Sequence, residues 1–108
     1  MVKYRNRLEI IADVLAVAKE GAGKTQIMYG ANLSYALLTR YLTDVIDIGL
    51  VRMEAGNTYE LTEKGSNFLQ EFTGYREHLR EVKKQLNDIK DRKVMLVNKF
   101  LNTERVAC

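Results

Sequence analysis

Lys24-Thr25-Gln26-Ile27-Met28-Tyr29-Gly30-Ala31-Asn32-Leu33-Ser34-Tyr35 decides how this chain is read. Lys24 to Tyr29 has the length of a short helix and stops at Gly30. Asn32 is a good N-cap, because its side-chain oxygen can accept from the unpaired amides of a following first turn. The helix expected after it runs from Leu33 to about Asp47. Leu33, Leu37, Tyr41, Leu42 and Val45 give that helix an apolar side, and Gly49 stands where a left-handed C-terminal cap belongs. Two helices joined by a tight turn are therefore expected here.

Upstream, Leu8, Ile11, Leu15 and Ala18 recur at helical spacing with Val14 beside them, which predicts a first helix over about Arg5 to Glu20, ended by Gly21 and Gly23. Downstream, Leu50 to Glu54 and Thr58 to Leu61 read as strands. The short link Ala55-Gly56-Asn57 between them makes a β-hairpin. Thr62 then caps a segment that is helical almost to the end. The expected order is helix, helix, helix, hairpin, long helix, with no repeat and no flexible linker.

The last helix carries the strongest period. Phe68, Phe72, Tyr75, Leu79, Val82, Leu86, Ile89, Lys93, Leu96 and Phe100 alternate steps of four and three, and only Lys93 is not apolar. This is coiled-coil spacing. A helix of about 40 residues is roughly 60 Å long, against a radius of gyration near 13 Å for a compact domain of ~100 residues. The expectation is a dimeric coiled coil. The alternative is a helix folded back on the head, with Gly74 as its break. In a parallel pair Lys93 would meet Lys93. In an antiparallel pair one register sets Phe72 on Leu96, Leu79 on Ile89, Leu86 on Val82, Lys93 on Tyr75 and Phe100 on Phe68. Flanking Leu69 then meets Val97, and Glu71 meets Lys99. Like charges oppose this register where Lys83 meets its own copy and Arg76 meets Lys90, but these pairs are solvated and cost little.

A length of 108 residues fits one domain. There is no proline, which suits long unbroken helices. No apolar run approaches the ~20 residues that span a bilayer, and no secretory signal is expected. Cys108 is the lone cysteine, so no intrachain disulfide is expected and a cytoplasmic location is the default. The net charge is +3. Seven positive and seven negative side chains cancel over residues 1–61, and ten against seven over residues 62–108 leave the excess. Lys3, Arg5 and Arg7 form a basic arm, read either as a solubilising tail or as a nucleic-acid contact.

Enzyme signals are weak. Gly21-Ala22-Gly23-Lys24-Thr25 mimics the end of a phosphate loop, but G-x-x-x-x-G-K-S/T needs a glycine at 18, where Ala18 stands, and a preceding strand, where the period is helical. These residues read as a turn between helices. His78 is the only histidine and falls at a flanking heptad position, so a Cys/His zinc cluster within one chain is excluded. No cofactor, metal site or small-molecule ligand is expected.

The segment from Lys24 resembles the Lys-Thr-x-Ile-Met-Tyr-x-Ala-Asn-Leu-Ser stretch of archaeal winged-helix DNA-binding proteins. Val45-Ile46-Asp47-Ile48-Gly49-Leu50-Val51 resembles the junction of helix and first wing strand, and Tyr59-Glu60-Leu61-Thr62-Glu63-Lys64-Gly65 the end of the wing. With the long heptad helix, residues 5–101 resemble the small crenarchaeal "ten-a" proteins, described as chromatin-associated. The resemblance implies a mainly α fold with a small β-hairpin wing. A winged helix-turn-helix head with its basic arm would occupy residues 1–64, and a dimerising helix continuous with it residues 65–104. It further implies a homodimer paired through an antiparallel coiled coil, a winged helix at each end, bound to double-stranded DNA in the nucleoid.

In such a head the second helix of the pair lies in the major groove. With Leu33, Leu37, Tyr41 and Val45 facing the core, the opposite side offers Ser34, Tyr35, Leu38, Thr39 and Thr43, with Arg40 at the margin. These groups suit phosphates more than bidentate base readout, which implies modest sequence specificity. Tyr35 could instead pack under the wing, and Arg40 could pair with Asp44. Lys24, Thr25, Arg52 and Asn57 are further phosphate candidates, with Lys3, Arg5 and Arg7. The predicted dimer seam comprises Phe68, Leu69, Phe72, Tyr75, Leu79, Val82, Leu86, Ile89, Lys93, Leu96, Val97 and Phe100. The competing function is a protein-interaction scaffold using the same two parts.

Overall fold

The computed structural model describes residues 5–101. Helix α1 (Arg7–Ala18) starts two residues later than its period suggests, because Asn6 is its cap. The Asn6 side chain accepts from the Glu9 amide at 2.8 Å, and the Glu9 carboxylate accepts from the Asn6 amide at 2.9 Å. This reciprocal box satisfies two amides that the first turn leaves unpaired. Ile11, Ala12, Val14, Leu15 and Ala18 are buried, as their spacing demands, whereas Leu8 in the first turn is 47% exposed.

Ala22 and Gly23 correct the expectation of a simple turn. They form a two-residue strand, β1 (Ala22–Gly23), antiparallel to the hairpin's second strand, with Ala22 opposite Tyr59 and Gly23 opposite Thr58. The hairpin itself is β2 (Val51–Glu54) and β3 (Thr58–Leu61), so the sheet order is β1-β3-β2. Its turn uses Gly56 and Asn57 at φ +78° and +60°, the left-handed region that these residue types tolerate.

Helix α2 (Lys24–Gly30) leads into the turn, and here Asn32 is not the cap. It takes φ +54° within the turn, while the Leu33 amide is tied back to the Met28 carbonyl at 2.9 Å. Ser34 caps the next helix, α3 (Tyr35–Ile48), its hydroxyl accepting from the Leu37 amide at 3.2 Å. Leu33 is buried but lies outside the helix, so its burial no longer places Leu37 on the inner face. Leu38, Leu42 and Val45, spaced four and three apart, are its buried residues. Leu38 is 0% and Leu37 40% exposed, so their expected roles are exchanged. Gly49 ends α3 as expected, in a left-handed cap at φ +91°.

The core gathers α1, α2, α3 and the sheet around Val14, Leu15, Ile27, Leu38, Val45 and Val51. Thr62 caps α4 (Glu63–Leu96): its hydroxyl accepts from the Gly65 amide at 3.1 Å and donates to the Gly49 carbonyl at 2.5 Å. Phe68 and Leu69 pack against the head core, and Phe72 is buried with its ring stacked 6.1 Å from that of Phe68. All three belong to the first of two compact units, Met1–Thr73. The seam positions expected between chains thus begin with residues that have work inside the head.

The second unit is Gly74–Cys108. α4 passes Gly74 without a break and ends in a π-helical turn, Val97–Leu101. Tyr75, Leu79, Val82, Leu86, Ile89, Leu96 and Phe100 are each 37–62% exposed. No helix among the described residues is long and apolar enough to cross a membrane.

Candidate nucleic-acid interface

At 100° per residue, the α3 positions opposite Leu38, Leu42 and Val45 are Ala36, Arg40, Thr43 and Asp47. Arg40 and Thr43 are exposed there, and no ion pair joins Arg40 to Asp44 among the described residues. Leu38 leaves the set of contact candidates, because a side chain sealed in the core reaches nothing outside. Thr39 and Thr43 are exposed, but each hydroxyl donates to the carbonyl four residues back, Tyr35 at 3.0 Å and Thr39 at 2.9 Å. Their oxygens remain as acceptors, which suits base-edge amino groups better than phosphate oxygens. Ser34 is occupied as the α3 cap.

Tyr35 is 64% exposed, so it does not pack under the wing. Lys24, from the first turn of α2, donates to the Tyr35 hydroxyl at 3.3 Å, and its ammonium lies 4.8 Å from the ring centroid. This hydrogen bond, then the Lys24 charge and a hydrogen bond with Thr39, hold the Tyr35 phenol below its ordinary pKa of 10.0. The expected result of Lys24→Met is that the Tyr35 ring titrates at higher pH than in the parent, followed by NMR of its ring protons. An unchanged midpoint would dissolve the pair in solution.

Lys24 and Thr25 also line a cleft of about 580 Å³ with Gln26, Gly56 and Asn57. The first turn of α2 and the wing turn therefore share one surface, and Lys24 joins it to the start of α3. Gln26 joins the candidates through this cleft, since its one signal in the sequence is its place beside Thr25 in the first turn. Arg52 lies on β2 with its guanidinium paired to Glu54 at 2.8 Å, both side chains well exposed, so it reaches a phosphate only by leaving that partner.

The basic arm does not act as a unit. Arg5 is folded into the head: its guanidinium donates to Asp13 at 2.6 Å, to the Ala31 carbonyl at 2.7 Å and to the Asn32 carbonyl at 2.9 Å. It therefore clamps the α2–α3 turn and is withdrawn from the contact candidates. Arg7 is exposed at the start of α1 and lines a different groove, with Leu8, Ile48 and Lys64. Lys3 lies outside the described residues.

A family model described as winged helix-turn-helix matches residues 4–80. The chain belongs to this family. Among solved structures it is similar to Sso10a-2, a DNA-binding protein from Sulfolobus solfataricus, at 30% identity and a TM-score of 0.62. That match covers 79% of this chain and 96% of the other. It bears out the archaeal resemblance carried by the Lys24 segment, the wing junctions and the long helix. An uncharacterized protein of Methanocaldococcus jannaschii is 37% identical over 62 residues, which are 56% of this chain. The chain spans 63% of that curated relative's length. Lactococcus lactis ZitR, solved in complex with DNA, matches with a TM-score of 0.59 over 98% of this chain and 77% of its own. At 18% identity that likeness speaks for the fold alone. In this winged helix α2 and α3 are the helix pair and the β2–β3 hairpin is the wing.

Proposed function

We propose that this winged helix is a non-enzymatic, dimeric DNA-binding protein that acts in the nucleoid as a chromatin component or transcription regulator. One observation carries the reading: Lys24 bonds Tyr35 at the head of α3 and lines the same cleft as Asn57 at the wing turn. A phosphate track lying there meets a cation, a phenol and a turn amide from three elements at once. α3 then enters the major groove with Arg40 and Thr43 foremost. Lys24, Tyr35 and Asn57 are directed at phosphates, and Arg40 and Thr43 alone at base edges, so sequence preference is modest. Sso10a-2, a DNA-binding protein, supports the reading at 30% identity.

The test is binding to a random duplex as salt is raised. We expect log affinity to fall linearly with log salt, and Lys24→Ala to flatten the slope by about 0.9, the worth of one phosphate. No binding at ~50 mM salt would overturn the proposal and favour a protein-interaction scaffold.

The dimer is part of the proposal. Seven large seam side chains from Tyr75 to Phe100 present a stripe too exposed for a lone chain to keep in water. The antiparallel pairing is preferred because it lays Lys93 on the partner's Tyr75, where its stem packs and its ammonium reaches solvent. The parallel pairing buries two ammonium groups against each other, at a larger cost.

A further inference from the structure

A second apolar surface lies on the head, away from the cleft of Lys24 and Asn57. The start of α1, the end of α3 and the first turns of α4 enclose a groove of about 470 Å³ floored by Leu8, Ile48, Leu50 and Phe68, with Glu71 on its rim. Leu8 and Ile48 are each 40% exposed or more, although both are large aliphatics within reach of a packed core. Neither faces the α2–wing cleft, so DNA contact does not account for them.

The geometry points to the end of a second copy's α4 as the occupant: Phe100 and Leu101 of one protomer seat in the head groove of its partner and clasp the coiled coil at each end. The inference rests on the dimer proposed above. Three observations single out this occupant. The antiparallel register sets the partner's Phe100 on Phe68, and Phe68 forms part of the groove floor. The helix changes pitch at this point, from α to a π-helical turn over Val97–Leu101. A wider turn past Phe100 takes Leu101 out of the outward position that the heptad would give it. Of the charges lining the groove, Glu71 favours the partner's Lys99, while Arg7 and Lys64 are exposed and oppose it only weakly through solvent. The Lys99 ammonium lies 5.4 Å from the centre of the Phe100 ring, and the same register brings Lys99 to Glu71 on the groove rim.

Cross-linking of full chains in a Cys108→Ser background tests this. One mixture joins a chain carrying Leu8→Cys to a chain carrying Leu101→Cys, and a second uses Ile48→Cys with Leu101→Cys. A third mixture, Val82→Cys with Leu86→Cys, reports the antiparallel seam itself. Every product is between chains, because each chain holds one cysteine, and every substituted side chain is exposed enough to spare the fold. We expect mixed disulfides in all three mixtures. Mixed seam disulfides without groove disulfides would overturn the clasp and leave the dimer standing. Absence of both would overturn the dimer and the clasp with it. Leu8→Ser gives an independent readout, because Leu8 lies outside α4 and enters the dimer only through the groove. It should raise the dimer dissociation constant about tenfold, and an unchanged constant counts against the clasp.

Discussion

Leu38→Ala will melt the head far below the parent, with a loss of about 2–5 kcal/mol, the usual cost of opening a cavity in a packed core. Leu38 is fully buried and sits in line with Leu42 and Val45 on the inner side of α3. In a domain of this size each kcal/mol moves the melting temperature by roughly 4–8 °C, so the shift is far outside measurement error. Leu37→Ala is the companion. Leu37 is 40% exposed, and truncating it removes much less buried surface, so the loss stays below about 1.5 kcal/mol. Thermal melts of the two variants, read beside their duplex affinities, separate the roles. If Leu38→Ala melts with the parent and only binds DNA more weakly, Leu38 faces outward and α3 has the opposite phase.

That exchange of Leu37 and Leu38 shows where the sequence was legible. Helix existence was readable throughout, because apolar spacing of three and four residues survives errors of a residue or two at the ends. Helix phase was not, because it depends on the cap. Asn32 and Ser34 are both good caps, and the role falls to Ser34, whose hydroxyl accepts from the Leu37 amide, while Asn32 stays in the turn at φ +54°. The wing hairpin was legible to within a residue, since Ala55-Gly56-Asn57 supplies the turn chemistry and Gly56 and Asn57 take the positive φ values it needs. β1 was not. Two residues have no period, and Ala22 and Gly23 become a strand only because β3 offers them a partner.

The candidate site was half legible as a surface, for a related reason. Lys24, Thr25, Tyr35 and Asn57 were named from local position, and the structure brings Lys24 to both Tyr35 and the wing turn. Arg5 was misread because its charge is local information while its partners are not. Asp13, Ala31 and Asn32 lie 8, 26 and 27 residues away along the chain. The heptad had a similar ambiguity. A spacing of four and three serves a helix packed on its own head as well as one packed on a partner, and Phe68 obeys both uses.

Gly65→Ala should be the most damaging exchange outside the apolar core, with a loss of about 3 kcal/mol or more from overpacking against backbone. Two effects compete at this position. Alanine favours a helix over glycine by about 1 kcal/mol, and α4 would gain that much in isolation. Against it, a Cβ on Gly65 would collide with the Leu50 carbonyl oxygen and lie 2.9 Å from its carbon. That carbonyl cannot swing aside freely. It accepts from the Thr62 amide at 3.0 Å, and the Thr62 hydroxyl in turn caps α4 through the Gly65 amide and holds the Gly49 carbonyl. Relieving the clash therefore means lifting α4 off the end of α3 and loosening its cap, together with the Phe68 and Leu69 packing that follows. Gly74→Ala is the control, because a Cβ there meets nothing within 4 Å and position 74 falls on the outer side of the heptad. It should gain up to about 1 kcal/mol from helix propensity alone. Denaturant unfolding of both variants measures the difference. Equal stabilisation by the two alanines would mean that α4 does not rest on Leu50, and the head's link to the long helix would need another account.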